Sequence, residues 1–166
     1  MDTTRLREAY GVLLGAAASV LGSHDHDVAP PAGEWDATQI LAHIASVDAG
    51  VLATAYTVAS GAPAAFDNSA SLDDATLERV ATTLGDGLQD RIRRQGDALC
   101  ALCETLGEAE LDTPVPTRLS SAGDVLLDQP VPLRALVTGL ADDHLPRHTT
   151  QLLALSPQAA GAAATT

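Results

Sequence analysis

The chain has 166 residues, a length typical of one domain with a core of its own, and 46% of them are apolar. Its 22 acids and nine arginines, with no lysine, give a net charge of −13, which repels phosphate backbones and argues against nucleic-acid binding. Aromatic residues are only 2% of the chain, so the core must be leucine, valine and alanine, which favours closely packed helices over a β-sandwich.

The sequence shows no pattern typical of a membrane span or an export signal. Its apolar runs fall short of the roughly 20 residues that cross a bilayer. The first residues carry mixed charges, unlike those of a signal peptide. We therefore expect a cytoplasmic protein that binds neither membranes nor nucleic acids. A single domain is expected over residues 1–157, followed by a disordered tail over 158–166.

Apolar residues at helical spacing predict a first helix over residues 4–21. Its buried stripe consists of Leu6, Tyr10, Leu13, Leu14, Ala17 and Leu21. The polar connection that follows contains His24 and His26, each followed by an aspartate, as in some metal sites. A solvated turn explains that pattern better, and metal binding there would be adventitious.

A second helix is predicted from Asp36, whose carboxylate can cap the free N–H groups, to the Gly61-Ala-Pro63 segment. Its core stripe consists of Ile40, Ile44, Val47 and Val51. On a helical wheel, His43 lies about 80° from the centre of that stripe, at the edge of the buried face. A histidine in that position needs a partner, because burying an unpaired polar group is costly.

A long third helix is predicted to open with a capping box at Ser71-Leu-Asp-Asp74 and to continue to Leu106. Gly85 and Gly87 weaken its middle and predict a kink or a short break. The segment over residues 107–131 is predicted to be an irregular crossover with short extended pieces. Its helix breakers are Pro114, Pro116, Gly123 and Pro130, and its extended pieces are Val115 and residues 125–127.

The last helix is predicted to start at Pro132, a residue suited to the first helical position. Its apolar face consists of Leu133, Leu136, Val137, Leu140, His144, His148, Leu152 and Leu155. Both histidines lie within roughly 40° of the centre of that face. Pro146 stands between them, where it lacks an N–H group and crowds the carbonyl of Asp142. We therefore expect a kink or a locally widened turn there.

Three histidines on apolar helix faces indicate a metal site. His144 and His148 are one helical turn apart, so both imidazoles can bind one ion. Zinc proteases use the same spacing, but the glutamate that they place between the histidines is missing here, which excludes that activity. Adding His43 gives three neutral ligands and an open position for water or substrate, as in catalytic sites. The alternative is that all three are core histidines with ordinary hydrogen-bond partners.

Two motifs resemble those of a known superfamily. Trp35 followed eight residues later by His43, in Trp-Asp-Ala-Thr-Gln-Ile-Leu-Ala-His-Ile, resembles the second-helix signature of the DinB/YfiT-like superfamily. His144-x-x-x-His148-x-x-Gln151-Leu152 resembles its last-helix signature. The resemblance implies an all-α four-helix bundle with a long irregular crossover before the last helix. It also implies that His43, His144 and His148 hold a divalent metal, for which zinc is our first expectation and nickel or iron the alternatives.

The same resemblance implies a function, since mycothiol-dependent maleylpyruvate isomerases and thiol S-transferases are similar in design. We expect a transferase that activates a low-molecular-weight thiol, of the mycothiol or bacillithiol class, on the metal. The thiol would attack an electrophilic small molecule, and no catalytic residue is expected beyond the metal site. The alternative is a non-catalytic, stress-related metal-binding bundle. Pairing of exposed apolar helix faces would make a homodimer.

Other side chains near the motifs are candidates for binding the cofactor or substrate. Gln151 could hydrogen-bond a histidine ring or a substrate, and Arg147 could bind an anionic substrate or pair with Asp143. Trp35 is expected to pack at the end of the bundle or at the rim of a pocket. Asp48 and Asp142 lie on the two histidine-bearing helices and are candidates to accept a histidine N–H.

Cys100 and Cys103 form a Cys-x-x-Cys motif within the predicted third helix. Redox motifs of this kind accompany a βαβ unit, which the sequence does not predict. Cysteines three residues apart on one helix seldom form a disulfide. We therefore expect both to pack in the core.

Overall fold

The computed structural model describes residues 1–22, 30, 33–121 and 123–155, and they are mostly helical. The first helix, α1, covers Thr4–Gly22, and the second, α2, covers Ala37–Ala59. Both agree with the predicted bounds within two residues. Asp36 caps α2 as expected, and Gln39 completes a capping box by accepting the Asp36 N–H at 3.0 Å. His24, His26 and the predicted tail lie outside the described residues.

The predicted third helix is divided into two. A 3₁₀ turn covers Ser69–Leu72, α3 covers Asp74–Leu84 and α4 covers Leu88–Thr105. The capping box predicted at Ser71 is wrong, because Asp73 caps α3 by accepting the Thr76 N–H at 2.9 Å. The expected break is confirmed: a 3₁₀ turn over Gly85–Gly87 separates α3 from α4, and Gly85 adopts a positive φ of 47°.

The crossover is more regular than predicted. After a short helix α5 over Glu108–Leu111, strands β2 (Pro114–Ser121) and β3 (Asp124–Pro132) form an antiparallel hairpin. A two-residue strand β1, Phe66–Asp67, pairs in parallel with β2 and completes a three-stranded sheet. The mostly helical character is confirmed, but because of this sheet the expected all-α four-helix bundle is not.

The prolines of the hairpin occupy positions at which a β-ladder needs no backbone N–H group. Pro114 is opposite Pro132 and Pro116 is opposite Pro130. The N–H of Leu133 donates to the carbonyl of Thr113 at 3.1 Å, so Thr113 and Leu133 form a hydrogen-bonded pair. In an antiparallel ladder every second pair is hydrogen-bonded, so the next pair, Pro114 and Pro132, is a non-hydrogen-bonded one. All four prolines then occupy positions at which the nitrogen points away from the partner strand, and no ladder hydrogen bond is lost.

The last helical segment contains the distortion expected from Pro146. Helix α6 covers Leu133–Gly139, a π-helical turn covers Leu140–His144, and α7 covers Leu145–Ala154. The N–H of Leu145 donates to the carbonyl of Leu140, five residues back. A π turn is wider than an α turn, so the proline ring fits without the clash that a regular helix would impose. Pro132 precedes α6 as its cap instead of starting the helix.

Helix α2 is the central helix of the core. It packs against α1, α3, α4 and α7, and about half of its residues are buried. By length and composition it is also apolar enough to cross a membrane, with a mean hydropathy of 1.3, contrary to our expectation from the sequence. Because 61% of that apolar window is buried within the protein, the helix also fits the core of a soluble domain, and its hydropathy is weak evidence for a span.

A buried polar pair joins α1 to α2 in this core. The Tyr10 hydroxyl donates to Asp48 Oδ1 at 2.8 Å, and both residues are at least 95% buried. The flat face of the Tyr10 ring lies against Gly96 of α4, where a Cβ atom would stand 2.9 Å from two ring carbons. The hydrogen bond fixes the ring, so the ring has little freedom to move away.

We expect Gly96→Ala to destabilise the protein by about 1–3 kcal/mol, because the added methyl group overlaps the fixed Tyr10 ring. Gly15→Ala in α1 is the matched control, since its Cβ would meet nothing within 4 Å. That change should stabilise the protein by up to about 1 kcal/mol through helix propensity. Urea unfolding of the two variants measures both effects. Equal stability of the two variants would contradict this description of the α1–α4 contact.

Candidate metal centre

Three histidines from α2, the π turn and α7 meet at one place. His43 and His148 are buried and His144 is half-buried, and one nitrogen from each lies within 4.8 Å of the others. Nε2 of His43 is 3.1 Å from Nε2 of His144. The ring centroids are 4.6–5.2 Å apart. The structure therefore brings together the three residues that the sequence singled out, and this group could hold a metal ion.

Neutral acceptors fix two of the three rings through their outer nitrogens. Nδ1 of His43 donates to the backbone carbonyl of Ser71 at 2.7 Å, and Nδ1 of His148 donates to Gln151 Oε1 at 2.9 Å. These bonds set the tautomer and leave Nε2 of both rings unprotonated, and Nε2 of His43 accepts a hydrogen bond from Nε2 of His144. Nδ1 of His144 is buried and has no hydrogen-bond partner within the described part of the chain.

Burial keeps the three imidazoles uncharged. It lowers the pKa of His43 to about 4, and this effect outweighs the hydrogen bond to Ser71, which raises the pKa. Burial also lowers the pKa of His144 and of His148, and the neighbouring histidines lower the pKa of His144 further. All three are therefore neutral at pH 7, the form in which an imidazole binds a metal.

A cavity of about 210 Å³ lies beside the three histidines. Its walls come from α2, the sheet, α6 and the π turn, and they are mostly apolar. The apolar side chains of the lining are Trp35, Val47, Val51, Phe66, Leu72, Leu119, Leu126, Ala135, Leu136 and Leu140. Polar groups are contributed by Asn68, Ser120, Ser121, Asp143 and Arg147. The open side of the histidine group thus faces a pocket with an apolar lining.

The other candidate residues lie at different distances from the centre. Trp35 packs against two of the histidines, with its ring centroid 4.8 Å from that of His43 and 6.4 Å from that of His148. Gln151 contacts a histidine ring, as considered from the sequence. Arg147 lines the cavity and is paired with Asp143. Of its two expected roles, pairing with Asp143 is therefore the one observed.

Neither candidate aspartate contacts a histidine. Asp48 accepts the Tyr10 hydroxyl, and Asp142 pairs with Arg5 at 2.8 Å. The sequence did not indicate that Ser71 accepts a hydrogen bond from His43. The acceptor is its backbone carbonyl, a group that every residue has. The hairpin wall of the cavity was missed for a different reason: its prolines masked the strand pattern.

Cys100 and Cys103 are buried free thiols in the core, as expected, and neither belongs to the histidine group. Within the described residues, the potential ligand set is three histidines with no thiolate or carboxylate. Fold and site thus define a mostly helical protein with a small sheet and a three-histidine group that could hold a metal ion. Compared with family models, curated proteins and solved structures, the chain matches none.

Asp48 is an acid in an apolar place, and burial raises its pKa to about 8. Oδ2 of Asp48 has no hydrogen-bond partner within the described residues, so only the Tyr10 hydroxyl opposes this effect. The folded state therefore holds a proton on Asp48 that the unfolded chain releases near pH 3.8. This contribution to stability is fully present below that pH and is lost as the pH rises through about 8.

We expect Asp48→Asn to flatten the dependence of stability on pH. Between pH 5 and pH 8 the free energy of unfolding of the variant should rise relative to that of the wild type by up to about 1.4 kcal/mol per pH unit. The reason is that the asparagine amide has no proton to lose. Urea unfolding of both proteins across this range measures the difference. Parallel stability curves would mean that Asp48 is ionised in the folded protein at neutral pH.

Proposed function

We propose that His43, His144 and His148 bind one divalent metal ion, with zinc the first candidate, and that the site acts on small molecules. The observation that carries this proposal is the convergence of three neutral imidazoles whose open side faces a cavity. A tetrahedral ion with bonds of roughly 2.0–2.1 Å separates its ligand nitrogens by about 3.3–3.4 Å. The 3.1 Å between Nε2 of His43 and Nε2 of His144 is close to that separation.

The donor chemistry of the group supports the same proposal. Nε2 of His43 carries no proton and lies at hydrogen-bonding distance, 3.1 Å, from Nε2 of His144, so a cation bound here would replace the proton that lies between the two nitrogens. The Ser71 carbonyl and Gln151 hold two of the rings by their outer nitrogens, which is the usual outer support of metal-bound histidines. Trp35 packs against the rings of His43 and His148 and restricts them from the side.

The reaction that we propose is attack by the sulfur of a low-molecular-weight thiol, of the mycothiol or bacillithiol class, on an electrophilic carbon. A C–S bond forms as the bond from that carbon to a leaving group or an epoxide oxygen, or the π bond of an activated olefin, breaks. The proton lost by the thiol goes to solvent or to the displaced atom. A divalent ion in this site would supply a Lewis acid that keeps a bound thiol in its thiolate form. The choice of thiol chemistry comes from the two motifs that resemble the DinB/YfiT-like superfamily. The apolar lining of the cavity supports an electrophile with little charge.

The size of the cavity favours a second candidate function, metal binding without catalysis. Small-molecule sites commonly enclose roughly 300–1,000 Å³. The cavity here is about 210 Å³, which accommodates the reacting end of a thiol and a small electrophile but not a whole thiol cofactor. Under the transferase proposal, most of the thiol cofactor therefore lies outside the cavity.

We expect untagged protein to contain close to one equivalent of divalent metal and the His144→Ala/His148→Ala variant to contain almost none. Removing two of three ligands leaves one imidazole, which cannot hold an ion against dialysis. Elemental analysis after dialysis measures the content. The matched control is His24→Ala/His26→Ala, which removes as many histidines from another part of the sequence and should leave the content unchanged.

Loss of metal from the His24→Ala/His26→Ala protein would place the ion in the first connection of the chain. Absence of metal from the wild-type protein, before and after incubation with zinc, would contradict the metal proposal. Circular dichroism of each variant shows whether the protein is still folded.

We also expect the zinc-loaded protein to accelerate conjugation of a thiol with an electrophile. Mycothiol, bacillithiol and glutathione, each with a chlorobimane that fluoresces on conjugation, provide the assay. The rate with one thiol should exceed the uncatalysed rate by at least about tenfold and fall to background in the His144→Ala/His148→Ala protein. Background rates with all three thiols and a fully loaded site would favour metal binding without catalysis.

A further inference from the structure

Asn68, between β1 and the 3₁₀ turn Ser69–Leu72, binds the cavity wall through its side chain. Its Nδ2 donates to the backbone carbonyl of Ser120 at 3.0 Å, and its Oδ1 accepts the Ser120 N–H at 2.8 Å. Strand β1 pairs with β2 through only two residues, Phe66 and Asp67. The Asn68 side-chain amide therefore continues the pairing of β1 with β2, and it satisfies both the backbone N–H and the backbone carbonyl of Ser120.

The backbone of Asn68 connects the same residue to the histidine group. Its carbonyl accepts the Ser71 N–H at 3.0 Å and the Ser71 hydroxyl at 2.7 Å. The carbonyl of Ser71 in turn accepts Nδ1 of His43 at 2.7 Å. A continuous set of hydrogen bonds thus leads from Ser120 in the cavity wall, through Asn68 and Ser71, to the ring of His43.

The place where Asn68 binds β2 is also where the hairpin is irregular. The register of β2 against β3 shifts between Leu119 and Ser120, and both residues line the cavity. A register shift interrupts the ladder, so this end of β2 depends on contacts from its other side. Without the side chain, Asn68 keeps one bond to β2, from its N–H to the carbonyl of Arg118 at 3.3 Å.

We propose that Asn68 is a positioning residue of the three-histidine centre, which fixes the His43 ring and the β2 wall of the cavity relative to each other. The inference deepens the proposed function, on which its metal measurement depends. Asn68 acts through Ser71 and Ser120 and contacts no histidine itself. Removal of its side chain breaks both bonds to Ser120, so the Asn68 backbone, whose carbonyl still accepts from Ser71, can shift away from β2 together with Ser71. The Ser71 carbonyl then moves away from Nδ1 of His43, and His43 loses its fixed tautomer.

The first test needs no metal. Long-range ¹H–¹⁵N spectra of histidine rings report which nitrogen carries the proton. In metal-free wild-type protein we expect His43 to be protonated at Nδ1, and in Asn68→Ala we expect a mixture of the two tautomers. Gly96→Ala is the control, because it should destabilise the core without touching these hydrogen bonds. A His43 tautomer that is the same in Asn68→Ala and in wild type would overturn the proposal.

The second test measures metal affinity with cobalt, whose visible absorption reports the ligand geometry. Partners that orient metal-bound histidines typically change affinity by about 10- to 100-fold when they are removed. We expect cobalt to bind Asn68→Ala about tenfold more weakly than wild type, with a changed spectrum, and to bind Gly96→Ala as it binds wild type. Equal weakening in both variants would show a general effect of stability and overturn the positioning role.

The two tests separate the two proposals. If wild-type protein binds no cobalt, the proposed function fails, while the tautomer of His43 still decides the role of Asn68. If wild-type protein binds cobalt and Asn68→Ala binds it with the same affinity and spectrum, the metal site stands and the role of Asn68 is rejected.

Discussion

The centre depends on one constraint: three imidazoles must lie together in a buried place without charge. Burial lowers the pKa of each ring, so all three stay neutral and their mutual repulsion is small. A neutral ring still has a donor and an acceptor to satisfy. The Ser71 carbonyl and Gln151 take the donors of His43 and His148, which directs the remaining nitrogens toward each other. Helices α2 and α7 supply these two rings, and the 3₁₀ turn and α7 supply their acceptors.

Pro146 is part of this arrangement and does not damage it. In a regular helix its ring would clash with the preceding turn, at a cost of about 3 kcal/mol. The π turn over Leu140–His144 removes the clash and adds one residue to that turn. His144 ends the π turn and His148 lies one turn into α7, so the widened backbone is located directly beside two of the three rings. Turns of this kind are frequent at functional sites.

The sequence predicted those parts that depend on one helix at a time. The bounds of α1 and α2, the Asp36 cap, the break at Gly85 and the widened turn near Pro146 all follow from local rules, and the structure confirms them. The hairpin was not predicted because its prolines are harmless only in their pairing register, which no single strand reveals. Ser71 was assigned to a helix cap because it fits that pattern, whereas Asp73, an equally good capping residue two positions later, is the one that caps α3. The role of the Ser71 carbonyl as an acceptor for His43 depends on a tertiary contact, which the local sequence does not reveal.

The charges around the centre complete its chemistry. The chain has a net charge of −13, yet the acceptors at His43 and His148 are a backbone carbonyl and an amide, both neutral. The nearest acids on the last helical segment, Asp142 and Asp143, are paired with Arg5 and Arg147. A carboxylate hydrogen-bonded to a ligand ring would donate negative charge to a bound cation and weaken it as a Lewis acid. Three neutral ligands, two of them with neutral outer partners, would leave a divalent ion its full charge, and the thiolate binding that we propose would use that charge.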